Sequence, residues 1–256
     1  MVAAASRMDD ELTIDALTRD WTIAQRRRGH RHSTDDLLTG WYAVEHAAVL
    51  PAVTRILDLG SGIGSVGLLV LWRSPGAVLT AVKAQEVSYA LLTRNIGANG
   101  LGARVRAVHG DLRAVRFDEP FELVTGSPPY FPVTGGIVPA DSQKAHARFE
   151  LRGDVRDYAA AARAALAPGG RFVFCFPSAQ TARAVAACEA ADLPLVASRE
   201  VVPRRGAPPL FTLFACRRRE DSGEAARVEP PHVVRDETGV PTPEHAAARA
   251  TFGFAT

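Results

Sequence analysis

Ile56-Leu57-Asp58-Leu59-Gly60-Ser61-Gly62-Ile63-Gly64-Ser65-Val66-Gly67 reads as an apolar strand, a glycine-dense turn and the start of a helix. Gly60, Gly62 and Gly64 have no Cβ, so the backbone can bend tightly there and lie against a ligand near a helix N-terminus. A plain glycine-rich turn needs neither the strand acid Asp58 nor three alternate glycines. Working outward, short β-branched runs alternate with longer alanine and leucine segments, the pattern of βαβ units on a parallel sheet. The expected strands cover 54–59, 77–82, 104–109, 121–126 and 171–176, with helices over 64–73, 85–99 and 154–166. Ala167-Pro168-Gly169-Gly170 stops the last helix just before the apolar run Arg171 to Phe176. A helix over 178–191 and strands over 195–202 and 210–216 complete the sheet as an antiparallel hairpin, making an α/β fold of seven mostly parallel strands.

Residues 1–50 stand outside this alternation and form a small N-terminal cap and possible substrate-binding region. It holds a β segment over 21–25 and a helix over 34–48 whose apolar side carries Leu37, Leu38, Trp41, Ala48 and Val49. Residues 51–217 are the main domain, and 218–256 a linker and tail. Within that last stretch 217–230 read as a surface loop, followed by the apolar pair Val233-Val234, a turn at Glu237-Thr238-Gly239 and a helical end.

The chain has 256 residues, 47% hydrophobic and 23% charged, which excludes wholesale disorder, collagen-like repeats and coiled coils. Thirty basic against 28 acidic residues leave +2, too weak a field for a histone-like binder though not for a local basic patch. Only Lys83 and Lys144 of the basic residues are lysines. Cys175, Cys188 and Cys216 are far apart and lack ligand spacing, so neither a disulfide framework nor a metal site is expected. The longest apolar run, near Val66 to Trp72, is far short of the roughly 20 residues of a membrane span. Asp9, Asp10 and Glu11 stand where an export signal would be apolar. A cytoplasmic protein is the expectation.

Two ligand readings compete at the glycine loop. Gly62-Ile63-Gly64-Ser65-Val66-Gly67 fits the dinucleotide fingerprint, and Lys83 could meet an NADP 2′-phosphate, as in a reductase. Against this, the fingerprint starts two residues past the strand, and Asp58 would set a carboxylate beside a pyrophosphate. A carboxylate suits the α-ammonium of S-adenosylmethionine, which is the preferred reading.

Phe121 to Gly126 reads as a buried strand, and Ser127-Pro128-Pro129-Tyr130-Phe131 leaves its carboxyl end, where open α/β sheets place ligands. Consecutive prolines fix φ and remove two amide donors, so the loop is stiff and rich in unopposed acceptors. If the Ser127 oxygen and the Pro128 carbonyl each accept one N–H of an exocyclic amine, the nitrogen lone pair is steered toward a methyl donor. Tyr130 or Phe131 would stack on a planar base or amide.

Asp58-Leu59-Gly60-Ser61-Gly62, Gly110-Asp111, Ser127-Pro128-Pro129-Tyr130 and Pro168-Gly169-Gly170 resemble, in this order, class I S-adenosylmethionine-dependent methyltransferases acting on exocyclic or amide nitrogen. Residues 29–38, Asn95 to Gly100 and the tail around Val234 to Pro243 are similar to the bacterial tRNA(Val) adenine-N6 methyltransferases. The resemblance covers roughly 12–217 and, weakly, the tail, and implies a Rossmann-like class I fold. It implies that Asp58, Gly60 and Gly62 bind the methionine part of the cofactor and that Asp111 accepts the adenine amine. Ser33, Thr34 and Asp35 would close over the donor site. Two positions depart from the pattern. Lys83 stands where relatives put an acid for the ribose hydroxyls, with Glu86 as a substitute acceptor, and Ser127 stands for the usual Asn. Serine at that place is familiar from cytosine-N4 methyltransferases, so a cytosine amine stays open, as do a protein glutamine and a small molecule.

Arg26-Arg27-Arg28-Gly29-His30-Arg31-His32 is the densest positive run, and Arg204-Arg205 and Arg217-Arg218-Arg219 add two more. Such runs suit RNA phosphates, with Arg26, Arg27 and Arg28 as substrate-binding candidates; the bland alternative is solvated arginine. A tRNA substrate is the leading expectation, and a catalytically silent RNA-binding module the rival from another class. His109 and His146 fall near the site with core or surface roles, and Glu150 anchors the loop that follows Tyr130.

Overall fold

The computed structural model describes residues 12–133, 139–221, 223 and 225–255. The reading of Asp9, Asp10 and Glu11 lies outside the described residues. An antiparallel hairpin, β1 (Leu12–Ala16) with β2 (Thr22–Arg26), leads to helix α1 (Thr34–Ala47). The central part runs β3 (Arg55–Leu59), α2 (Ser65–Arg73), β4 (Val78–Lys83), α3 (Glu86–Ala98), β5 (Val105–His109) and β6 (Phe121–Gly126). It continues through α4 (Ser142–Arg148), α5 (Val155–Ala165), β7 (Leu166–Pro177), α6 (Thr181–Ala190), β8 (Leu195–Val202) and β9 (Phe211–Cys216). The chain closes with β10 (Arg227–Val233) and α7 (Pro243–Ala250).

The large sheet has eight strands in the order β10-β8-β9-β7-β6-β3-β4-β5. β9 runs antiparallel to both β7 and β8, and the remaining pairs are parallel. All seven expected strands are present. The eighth, β10, begins inside the stretch read as a loop and runs on to Val233: Pro230 and Pro231 hid it, because proline blocks a central strand but not an edge one. β10 pairs only with β8, and its register breaks between Glu229 and His232, across those prolines.

From β3 the chain goes to β4 and β5 on one side, while β6 and β7 lie on the other, so the strand order switches between β3 and β6. Such a switch point opens a crevice at the carboxyl ends of the strands. Register pairing of Leu59 with Gly126 sets the glycine loop beside the proline loop.

Each sheet face has its own core. On one, α1, α2 and α3 bring Leu38, Tyr42, Leu69 and Leu92 against Ile56, Leu123 and Val173. On the other, Val155, Tyr158, Ala159 and Ala162 of α5 cover Phe172, Phe174 and Phe214, whose stacked rings lie 4.8 and 5.0 Å apart. The small alanines let α5 sit close to that aromatic row.

Other differences are local. β1 lacked a strong apolar alternation and was not expected. α1 stops at Ala47, so Val49, expected on its apolar side, is 69% exposed. β7 starts at Leu166, taking in Pro168-Gly169-Gly170 as an irregular first section. Asn95 of α3 ties the hairpin down: its side chain meets both the N–H (2.8 Å) and the carbonyl (3.2 Å) of Ala24, and donates to the Ile63 carbonyl at 2.9 Å.

Candidate active site

The glycine loop leaves β3 with Gly60, Gly62 and Gly64 at φ of 65°, 56° and 101°, in the left-handed region that favours glycine. A Cβ on Gly60 would lie 1.9 Å from the Tyr158 hydroxyl, so that glycine makes room for the ring. A Cβ on Gly62 would meet nothing within 4 Å, because that side faces an open cavity. Asp58 is 1% exposed and acts first as a brace: it accepts from Thr125 Oγ1 at 2.8 Å and from the Gly67 N–H at 3.1 Å, fixing β3 to β6 and to α2. Burial pushes its carboxyl up to about 6, against the pull of those two bonds and of Lys83.

The cavity measures about 350 Å³, a size that suits a small-molecule ligand. Its lining joins Asp58 and the glycine loop to Ser33, Asp35, Ser127, Pro128, Tyr130 and Phe131. A smaller recess of about 40 Å³ continues from it, lined by Lys83, Gly110, Asp111, Arg152 and Tyr158 among others. Thr34, the first residue of α1, is exposed beside Ser33 and is not on the wall.

Tyr130 does not lie free for stacking. Its hydroxyl donates to Asp35 Oδ2 at 2.9 Å and lies 3.2 Å from Cys175 Sγ, which in turn lies 3.6 Å from Ser127 Oγ. A carboxylate only accepts, so the Tyr130 proton goes to Asp35 and the Cys175 thiol donates to the Tyr130 oxygen. Sulfur is then left to accept from Ser127, whose oxygen lone pairs are free to face the cavity. Burial holds the Cys175 thiol up at about 12, so it keeps this proton at any working pH. Phe131, 42% exposed and tilted against Phe149 at 5.7 Å, is the aromatic left at the mouth. The main chain of Phe131 pairs with Arg148 and Glu150, and Gln180 Nε2 donates to the Tyr130 carbonyl at 2.8 Å, so the C-terminal end of the loop is anchored. Glu150 also meets Arg183 at 2.6 Å.

At the far end of the cavity the Lys83 ammonium has no hydrogen bond or ion pair among the described residues. The side chain keeps intermediate exposure through the cavity, yet burial dominates and lowers its ammonium to about 8, with Asp58 pulling the other way. Glu86, the substitute acceptor, is exposed on the first turn of α3 and lines neither space, so it does not stand in for the missing acid. Asp111 reaches the recess, but Arg113 grips it at 2.9 and 2.6 Å, which holds its carboxyl below the usual range. Nothing local marks Tyr158, Arg152, Cys175 or Arg148 as part of this site, since each lies in a segment whose apolar or charged pattern has an ordinary structural explanation. His146 lines both spaces, whereas His109 stacks on Tyr89 at 4.5 Å, outside them.

The arginine run divides. Arg26 pairs with Asp141 at 2.8 Å and Arg31 with Asp15 at 3.0 Å, which fastens the hairpin to neighbouring segments. Arg27 and Arg28 are exposed just before His30 and Ser33 of the cavity wall. Arg218 and Arg219 pair with Glu220, Glu189 and Asp192 and follow β9, at the opposite end of the sheet. The three cysteines are buried and free. Among the described residues no side-chain group is placed to hold a metal, and no helix is long and apolar enough to cross a membrane.

Residues 44–187 match the family model of the methyltransferase small domain, more than half of the chain. A tRNA1(Val) (adenine(37)-N6)-methyltransferase of Aeromonas hydrophila is 30% identical over 175 residues, 68% of this chain and 70% of that protein. Another with the same description, from a Flavobacteriaceae bacterium, is 31% identical over 113 residues, 44% of this chain and 47% of its own length. A ribosomal protein uL3 glutamine methyltransferase of Bradyrhizobium diazoefficiens is 36% identical over 84 residues, 33% of this chain and 26% of that protein. The chain therefore spans about half the length of the second relative and a quarter of the third. Among solved structures, a predicted O-methyltransferase from Agrobacterium tumefaciens superposes with a TM-score of 0.65 at 19% identity, covering 87% of this chain and 99% of that one, a likeness of fold. With the glycine loop, the proline loop and the family match in agreement, the chain belongs to the methyltransferase small domain family of class I S-adenosylmethionine-dependent methyltransferases.

Proposed function

We propose that this methyltransferase modifies an exocyclic amine, and specifically adenine N6 of a tRNA. The observation that carries the reading is the meeting of the two loops: Ser127 and Pro128 line the same cavity as Asp58, Gly60 and Gly62. Bound S-adenosylmethionine supplies an electrophilic methyl on its sulfonium. The cradle fits it at the methionine end, where Gly62 leaves open space and Asp58 offers a carboxylate to an α-ammonium.

Ser127 Oγ and the Pro128 carbonyl accept the two amine N–H groups, which draws the nitrogen lone pair out of conjugation and aims it along the line of attack. Catalysis of this kind is positioning and electrostatics, with the surplus proton leaving for water after transfer. No basic side chain has to take it. Tyr130, held by Asp35 and Cys175, keeps the loop still, and Phe131 at the mouth offers a ring to the target base. Arg27 and Arg28, exposed near that mouth, suit phosphates.

The glutamine relative favours a second reading in which an amide nitrogen is held by the same acceptors. Incubating the protein with methyl-labelled donor and, separately, total tRNA, DNA and protein decides between them. Label in tRNA is expected, and label confined to protein would overturn the RNA reading.

A further inference from the structure

A second cavity, of about 400 Å³, lies at the opposite end of the sheet from the glycine loop. The C-terminal half of α1, the early part of β7, β8, the residue after β9 and β10 wall it, with Arg171, Arg199, Arg217, Arg227 and Tyr42 among its lining. On β7 it is four residues, roughly 13 Å of strand, from Arg171 to Cys175 under the active-site loop.

Its polar groups are poorly accounted for within the protein. Arg217 has no side-chain hydrogen bond or ion pair among the described residues, and its Nε is buried. The buried Nε of Arg199 also lacks a partner, although its Nη2 meets Glu244 and its guanidinium lies 5.1 Å over Trp41. Tyr42 is 1% exposed, and its hydroxyl faces Glu229. Buried donors left unmet cost stability unless something satisfies them. Glu229 lies 3.8 Å from Arg227 and Glu244 balances Arg199, which leaves Arg217 as the arginine of this wall with no ion pair among the described residues.

We propose that this cavity is a binding site for a phosphate monoester of sugar-phosphate size. Several guanidinium forks around one space match a tetrahedral dianion better than a single carboxylate, because each fork can donate to a different pair of oxygens. The Tyr42 hydroxyl supplies a neutral donor. The inference stands apart from the methyl-transfer reading, since no residue of the glycine or proline loops takes part.

Calorimetric titration of the protein with ribose 5-phosphate, with ribose as control, tests it. Ribose 5-phosphate is expected to bind and ribose not to. Arg217→Gln should weaken binding about tenfold or more, the loss typical of a hydrogen bond to a charged group, and Tyr42→Phe, which keeps the packing, a few-fold. Competition by a 5′-phosphorylated hexaribonucleotide, and not by its 5′-hydroxyl counterpart, would assign the monoester to an RNA end; its absence would assign a small molecule, and both keep the proposed chemistry. No binding of ribose 5-phosphate at millimolar concentration, or equal binding by wild type and both folded variants, would overturn the proposal.

Discussion

Lys83 closes the end of β4 with an ammonium where the resemblance implies an acid for the two ribose hydroxyls. An ammonium can only donate, and here it adds a positive charge to a pocket meant for a cationic donor. Lys83→Glu should therefore tighten S-adenosylmethionine binding in calorimetry, and an unchanged or weaker affinity would sink this account of the residue. The pH dependence follows with a definite sign. The Lys83 ammonium titrates near 8, so affinity for the sulfonium donor should rise as pH climbs through about 8, and that rise should vanish in Lys83→Gln. The Asp58 carboxyl titrates near 6, so affinity should fall as pH drops below about 6 and the carboxylate proposed to hold the α-ammonium is neutralised. A flat profile between pH 5 and 9 would contradict both assignments.

At the scale of elements, the glycine loop and the strand before the proline loop were legible because they combine periodicity with residues whose backbone freedom is unusual. Gly60 and Gly62 announced a turn that only glycine makes easily, and the prolines announced a stiff loop. What was not legible depends on contacts between distant segments. Nothing local marks Cys175 as the group beneath Ser127, or Arg26 as the partner of Asp141 rather than of a ligand. Asn95 is another such contact, joining α3 to the hairpin and to the glycine loop with three hydrogen bonds while fully buried. Asn95→Ala leaves those backbone groups unmet, and each buried polar group so stranded costs about 1–3 kcal/mol. Chemical denaturation should show a loss of at least ~2 kcal/mol, together with weaker cofactor binding because the loop carbonyl of Ile63 is released. A loss under ~0.5 kcal/mol would mean that the hairpin is held by other contacts.

Across the whole molecule the β1–β2 hairpin meets the segment after α7. The carbonyl of Phe252, just past α7, accepts from the Arg19 N–H at 3.0 Å, and its ring is fully buried in the core that holds Leu38 and Leu69. The stretch expected as linker and tail thus adds both an edge strand and a core side chain. Prolines and a charged, aperiodic composition concealed that contribution, since a single buried ring leaves no pattern. Phe252→Ala should lower the unfolding free energy by about 3–5 kcal/mol, as for other buried aromatics, whereas a loose tail would give less than ~1 kcal/mol.

That whole fold serves one chemical outcome proposed at the crevice between β3 and β6. The most direct measurement is nucleoside mass spectrometry of tRNA, taken before and after incubation with the protein and S-adenosylmethionine. New N6-methyladenosine is expected, and its loss with Ser127→Ala, in a variant that still binds S-adenosylhomocysteine. Methylation at a ring nitrogen or a ribose hydroxyl, or N6-methyladenosine formed undiminished by Ser127→Ala, would contradict it.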